Sequence, residues 1–391
     1  MTLNNQERRV VGLTGGAHII IHVVMETLPA VSILLIRQFG LDTFQYGLLA
    51  NLSYLTFGLI SLPAGFLVDR IGARKTLRLC LGGIVIGALI TALATTLWML
   101  ALGVGLIGMA AGLYHPIGLT MISAEVRQSG RGMGYHGIAG NIGHVVGHLL
   151  GAGVLAVAGW PQLFGVSVLL SLGMLSYQVI SERRRRSPAL AEPIPTITQE
   201  KANLKRIALV IVGTTFLGFA HRGLEIFMPL YFGNALFLAG LSEEVIGNLA
   251  AAVVLLGGVL GQLIGGRLAD KKKPLRSLMA MSLGGAAIAG LSGVIGGWGS
   301  LLSSFLLAAM LFGTLPISNN LIGRLLPAKH RGKGYGLLST FTFGAGSLVA
   351  SIGGALAESS ELSNIFYLMG GAALLGAMVF YLLSRRKEQS A

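Results

Sequence analysis

The sequence predicts an all-α membrane protein, with twelve transmembrane helices arranged as two pseudo-symmetric six-helix bundles. Three observations carry this. First, of 391 residues 53% are hydrophobic and only 11% are charged, whereas a soluble protein carries roughly 25% charged residues. Second, the apolar residues fall into twelve runs, each near the ~20 residues that a bilayer core requires. Third, the basic residues collect on alternate connections between those runs. With so few charges to cover a surface, a soluble enzyme or a nucleic-acid binder is excluded, although the net charge is +14. The 58 glycines suit helices that approach closely inside a membrane.

The expected spans are 10–36, 44–68, 76–96, 99–123, 132–157, 161–181, 206–233, 244–268, 276–296, 299–325, 333–357 and 362–384. The first is too long for a cleavable signal peptide. The one long polar stretch, 182–205, runs from Glu182 through Arg183, Arg184, Arg185 and Arg186 to Lys205 and contains Pro188, Pro193 and Pro195. It divides the chain into an N-terminal bundle (1–181), a linker (182–205) and a C-terminal bundle (206–391). All but Arg37 and Arg222 of the 29 Lys and Arg fall in even-numbered connections, the linker or the termini. By the positive-inside rule those segments are cytoplasmic, both termini included. The single cysteine, Cys80, forbids an internal disulfide and any cysteine-based metal cluster.

The two halves repeat each other at an offset of roughly 200 residues. Gly65-x3-Asp69-Arg70 matches Gly266-x3-Asp270-Lys271, Arg131-Gly132-x-Gly134-Tyr135 matches Arg331-Gly332-x-Gly334-Tyr335, and His22-x3-Glu26 with Pro29 matches His221-x3-Glu225 with Pro229. Duplicated bundles are typical of secondary transporters, whose site lies between the halves near the midplane.

Here the chain resembles the major facilitator superfamily. Gly65-x3-Asp69-Arg70-x-Gly72-x-Arg74-Lys75, between spans two and three, is similar to that family's signature loop, and the degenerate copy falls between spans eight and nine. Within the superfamily, Tyr114-His115-Pro116 and Gly140-Asn141-x-Gly143-x3-Gly147 resemble fosmidomycin-resistance-type exporters. Two departures stand out: Gly147 is followed by His148 where those exporters usually have Pro, and Ala101 to Ala111 lacks the Arg many members carry in span four. The resemblance implies alternating access by rocking halves and coupling to protons. It also implies that Asp69, Arg70, Arg74 and Asp270 form a cytoplasmic gate, in which carboxylates at helix ends pair with basic residues and helix N-termini.

Ionisable residues inside a bilayer are costly and mark function. His18, His22 and Glu26 are spaced by four on span one and so share a face. Span seven carries His221, Arg222 and Glu225; span four, His115; span five, His136, Asn141, His144 and His148; span ten, Asn319 and Asn320. The resemblance places spans one, four, seven and ten around the central cavity. Glu26 and Glu225, with His22 and His221 one turn away, are the proton-coupling candidates, because a carboxyl away from water can exist protonated as well as ionised. The substrate-binding candidates are His18, His115, Asn141, His144, His148, Arg222, Asn319 and Asn320. For Arg222 three readings stand: it holds an anionic group of the substrate, it pairs with Glu225 or Glu26, or it lies at the lipid interface.

The reading is a bacterial inner-membrane transporter, not an enzyme, that exports a small polar or anionic organic compound or drug by proton antiport. Its partners are the substrate, protons and the lipid bilayer, with no nucleic acid, no cofactor and no resident metal, and the protein is expected to be a monomer. The rivals are a proton-coupled importer and a transition-metal ion transporter using the intramembrane histidines. A ligand sensor would carry a signalling extension, and none is expected beyond Lys387. The topology has a direct test. Alkaline phosphatase, active only where disulfides form, should be inactive when fused after Ala391 and active when fused after Gly40; the reverse pattern would invert the chain.

Overall fold

The computed structural model describes residues 4–126, 129–183, 204–269, 271, 273–326 and 331–388. Residues 184–203, the centre of the expected linker, lie outside them. Among the described residues, twelve helices are long and apolar enough to cross a bilayer. They are α1 (Asn5–Ala30), α2 (Thr43–Val68), α3 (Ala73–Ala92), α4 (Leu97–Ile122), α5 (Gly132–Leu155), α6 (Trp160–Glu182), α7 (Leu204–Ala235), α8 (Glu243–Ala269), α9 (Pro274–Ile295), α10 (Gly297–Leu325), α11 (Lys333–Ser359) and α12 (Asn364–Arg385). Local chemistry sets several ends. Asn4 accepts the Glu7 amide at 2.9 Å while the Glu7 carboxylate takes the Asn4 amide at 2.8 Å, and Asp42 and Gln45 form the same box before α2. Such reciprocal bonds satisfy amides that a helix start leaves unpaired. Gly40 and Gly72 end helices with φ of 61° and 87°, a backbone that favours glycine.

The first expected span, 10–36, is not one helix. α1 stops at Ala30, and Val31 leads into a separate short helix, Ser32–Phe39. Pro29 is the cause: it has no amide to give to the Met25 carbonyl and its ring crowds that turn. The freed Met25 carbonyl receives the Tyr54 hydroxyl of α2 at 3.3 Å. The same device recurs in α4, whose helix is interrupted at Leu113. There Pro116 frees the Gly112 carbonyl, and Ser61 of α2 donates to it at 3.3 Å. In lipid no water is available for such a carbonyl, so another helix must supply the donor. α11 is irregular too, with a π-helical turn at Thr340–Gly344 followed by a 3₁₀ turn at Ala345–Ser347.

α1–α6 form one bundle and α7–α12 the other, and corresponding helices pack alike: α1 on α5 and α3 on α4 and α6, then α7 on α11 and α9 on α10 and α12. The halves meet along two seams, α2 with α11 and α5 with α8. Backbone lies on backbone in the first seam. A Cβ on Gly58 would fall inside the Gly344 backbone, and one on Gly47 inside the Ala350 carbonyl. Large apolar side chains such as Ile86, Leu169, Leu302 and Met378 point outward, a surface suited to lipid and unsuited to water.

The face opposite the termini is tied between halves. Arg37 pairs with Glu243 and, at 2.8 Å, with Glu244. Asn248 donates to the Ala30 carbonyl at 2.7 Å, and the Thr43 hydroxyl to Gly354 O and Glu358 Oε2, each at 3.0 Å. On the face bearing the termini, the ion pairs Arg74–Glu125 (3.1 Å) and Arg78–Glu182 (2.7 Å) both stay within the first bundle. Of the expected gate residues, Arg70 is exposed and Arg74 is engaged by Glu125. The Asp69 side chain and Asp270 lie outside what is described. The α2–α11 seam predicts that Gly58→Leu destabilises the protein by about 1–3 kcal/mol through overpacking, read as a lowered melting temperature in detergent. Unchanged melting would remove the tight seam.

Candidate functional site

The site is built on α1. His18, His22 and Glu26, four residues apart, face α5 along a row of glycines matched to them one by one. A Cβ on Gly140 would press on the His18 ring, one on Gly143 would meet His22 Cβ at 2.8 Å, and one on Gly147 would meet Glu26 Cβ at 2.8 Å. The Gly140-x2-Gly143-x3-Gly147 spacing therefore seats the polar face of α1.

Between the glycines of α5 stand its own histidines. His144 Nδ1 lies 2.5 Å from Glu26 Oε1, and His148 Nε2 lies 3.1 Å from Glu26 Oε2. Both oxygens of this fully buried carboxyl thus meet imidazoles. His144 turns its other nitrogen toward Glu225 of α7, 3.7 Å away, and Glu225 pairs with Arg222. Arg222 is only 2% exposed, and its guanidinium lies over the rings of Tyr54 (4.4 Å) and Phe343 (4.9 Å). The π-helical turn of α11 carries that Phe343. At the other end His148 Nδ1 meets Asn248 Oδ1 of α8 at 2.8 Å, and the Asn248 amide is held by Ala30 O and Glu244 O. The result is one continuous series from Asn248 through His148, Glu26, His144 and Glu225 to Arg222, which passes from one half to the other at each end. Two carboxyls against one guanidinium leave one charge uncovered. A proton on His144 or on either carboxyl closes the balance.

A second cluster adjoins it. His18 Nδ1 donates to the His136 carbonyl at 2.7 Å, and its Nε2 lies 3.0 Å from His22 Nε2. The His18 ring stacks on His136 with centroids 4.0 Å apart, and His115 of α4 stands edge-on to His18 at 5.2 Å. The His22 and His144 centroids, 4.0 Å apart, join the two clusters.

The structure revises several sequence expectations. The imidazoles beside Glu26 are His144 and His148, not His22, and the one beside Glu225 is His144, not His221. His221 instead stands edge-on to Phe312 at 5.0 Å. One-turn spacing placed each histidine near its carboxyl along the helix axis, but the side chains turn to neighbouring helices. Arg222 is buried and paired with Glu225, which rules out the lipid-interface reading. Asn141 makes a long bond to the Gly137 carbonyl of its own helix (3.5 Å). Asn319 is exposed, and its carbonyl takes the Tyr335 hydroxyl at 3.5 Å, while Asn320 is half-buried; among the described residues no hydrogen bond joins either to the histidine clusters. Sequence reasoning missed Asn248, Tyr54 and Phe343. Asn248 leaves a signal, as a carboxamide within an otherwise apolar run, but the two aromatics leave none. Arg222→Gln would strip Glu225 of its guanidinium. Removing one partner of a buried pair costs about 3–5 kcal/mol, so the melting temperature should fall steeply and recover largely in Arg222→Gln/Glu225→Gln. A single variant as stable as the parent would dissolve the pair.

Comparisons with known proteins agree with this architecture. The family model described as Major Facilitator Superfamily matches residues 16–313 and 235–391. The chain is 23% identical to the fosmidomycin resistance protein of Escherichia coli (strain K12), over 97% of this chain and 94% of that one. Among solved structures, a bacterial homologue of the human lysosomal transporter Spinster, in an inward-facing and occupied conformation, aligns with a TM-score of 0.75 at 16% identity, covering 98% of this chain and 97% of that one. The human organic anion transporter MFSD10 (TETRAN) aligns with a TM-score of 0.74 at 16% identity, over 96% and 100%. These two likenesses show the fold, and the match of the family model over nearly the whole chain shows more: the protein belongs to the Major Facilitator Superfamily, a family of transporters and not of enzymes.

Proposed function

We propose that the protein is a proton-driven exporter, working by alternating access in a bacterial cytoplasmic membrane with both termini in the cytoplasm. One observation carries the reading: a carboxyl from each half, Glu26 and Glu225, is buried within its membrane-spanning helix, and both reach His144. Carboxyls in such a place are proton carriers by chemistry and position. While they are ionised, Glu225 attracts His144 across the junction, and Glu26 holds His144 and His148 where they reach Glu225 and Asn248 of the other half, below the closed face. A proton on either removes the charge on which those bonds depend and loosens the link between halves. Proton binding is thus tied to the conformational equilibrium, which is the condition for coupling.

The cargo class suggested by the family likeness is a small polar or anionic organic compound. Arg222 can take an anionic group only when Glu225 releases it, which a proton on Glu225 brings about. For an anion, that geometry favours joint movement with a proton, the importer reading. For any cargo that competes with protons, it favours exchange. Gate contacts among Asp69, Arg70, Arg74 and Asp270 belong, on this proposal, to the conformation open on the opposite face.

Everted vesicles carrying an imposed pH gradient and a pH-sensitive dye test the reading. A cargo panel headed by fosmidomycin, chosen for the Escherichia coli relative, should discharge the gradient when the parent protein is present. Glu26→Gln and Glu225→Gln should each abolish the response while the protein still inserts and melts cooperatively. An undiminished response in both variants removes the two carboxyls as carriers.

A further inference from the structure

The imidazole cluster beside the carboxyl network lies outside the proton route proposed above, and its nitrogens are poorly provided for. Each ligand atom offered by His18, His22 and His115 lies within 4.8 Å of the other two. His22 Nδ1, His115 Nε2 and both ring nitrogens of His136 are buried with no hydrogen-bond partner among the described residues. Polar atoms left so in a protein interior cost free energy and call for an explanation. A hydrogen-bonded packing role for these rings would have given them partners.

The bonds that do exist fix where the lone pairs point. A carbonyl only accepts, so His18 Nδ1 carries the hydrogen that bonds His136 O. His18 Nε2 therefore holds a lone pair, and it faces His22 Nε2 at 3.0 Å. In the empty site the His22 hydrogen sits between these two nitrogens. A tetrahedral ion bound at about 2.0–2.1 Å by two imidazoles holds their nitrogens about 3.3 Å apart. The observed spacing is close to that edge, so an ion can replace the shared hydrogen, which moves to the unpartnered His22 Nδ1. His115, the only half-buried ring of the three, supplies a third nitrogen by turning. The His136 carbonyl acts behind His18 as the hydrogen-bond acceptor that metal-binding histidines usually have.

We propose that His18, His22 and His115 bind a divalent transition-metal ion of the nickel, cobalt or zinc kind, and that this ion is cargo. Neutral imidazoles select that class, whereas magnesium and calcium require oxygen ligands. Beyond His144 stand Glu26 and Glu225 against one guanidinium, Arg222, so the neighbouring network offers a cation at most one net negative charge. The ion's role as cargo rests on the proton-driven transport proposed above, with the ion in place of the organic compound, whereas the binding site itself does not.

The test uses full-length protein freed of any affinity tag and titrated with cobalt chloride alone. One equivalent should bind, with the visible absorption bands of nitrogen-coordinated Co(II), a signature that needs no variant. His22→Ala and His115→Ala should each weaken binding by about tenfold or more, with cooperative melting as the check on folding. The absence of those bands in the parent at millimolar cobalt overturns the site, as does unchanged binding in both variants. In vesicles, a pH gradient should drive cobalt across the membrane, and binding without that movement overturns the cargo role. Gradient-driven flux of an organic compound, with no cobalt bound, overturns the metal site and leaves proton coupling standing.

Discussion

Glu26 stands about one turn from the end of α1 with none of its surface exposed, and each of its oxygens ends on an imidazole. A carboxylate taken from water loses several kcal/mol of solvation, and the bilayer offers nothing in return. That demand arranges the centre of the molecule. His144 and His148 must stand four residues apart on the near edge of α5. α5 must come close, and so presents glycine wherever α1 projects a side chain. Asn248 must hold the far nitrogen of His148. Because the second nitrogen of His144 turns to Glu225, the carboxyl of the other half and its guanidinium join the same set.

Magnitudes indicate where closure of the molecule is decided. The ties on the face opposite the termini include Arg37, 56% of whose side chain is exposed, and exposed ion pairs contribute about 0–1 kcal/mol. The central pairs are almost dry, so breaking one costs several times more. On the proposed cycle the rim contacts follow the state of the centre. α2 suits such a mechanism. Its hydroxyls on Tyr54 and Ser61 satisfy carbonyls that Pro29 and Pro116 expose in its own half, while Gly47 and Gly58 leave a bare surface toward α11.

Much of this was legible in the sequence. The apolar runs gave the spans, and the two arginines that broke the charge pattern, Arg37 and Arg222, engage carboxylates at or across the junction of the halves. The ionisable residues of the network were legible as well, because such groups are rare in apolar helices, whereas Asn248 was not singled out. The pairings were not. Regular spacing tells which residues share a face but not which helix that face meets, so His22 and His221 stood in for His144. The end of α1 was misread because hydropathy continues through Val31 to Ile36, whereas the break comes from one missing amide at Pro29. Tyr54 and Phe343 left no mark, since an aromatic in a membrane helix is ordinary until an arginine lies on it.

The glycine row on α5 also determines what moves. With Gly140, Gly143 and Gly147 closed against His18, His22 and Glu26, α1 and α5 interlock like a zip and cannot slide past one another without steric collision. The imidazoles and the first carboxyl are then a preassembled passenger compartment carried whole by one half. On the proposed cycle its ligand geometry stays constant through the stroke. The other half works as a shutter, and the part of the compartment it rearranges is the far wall formed by Glu225, Arg222 and Asn248.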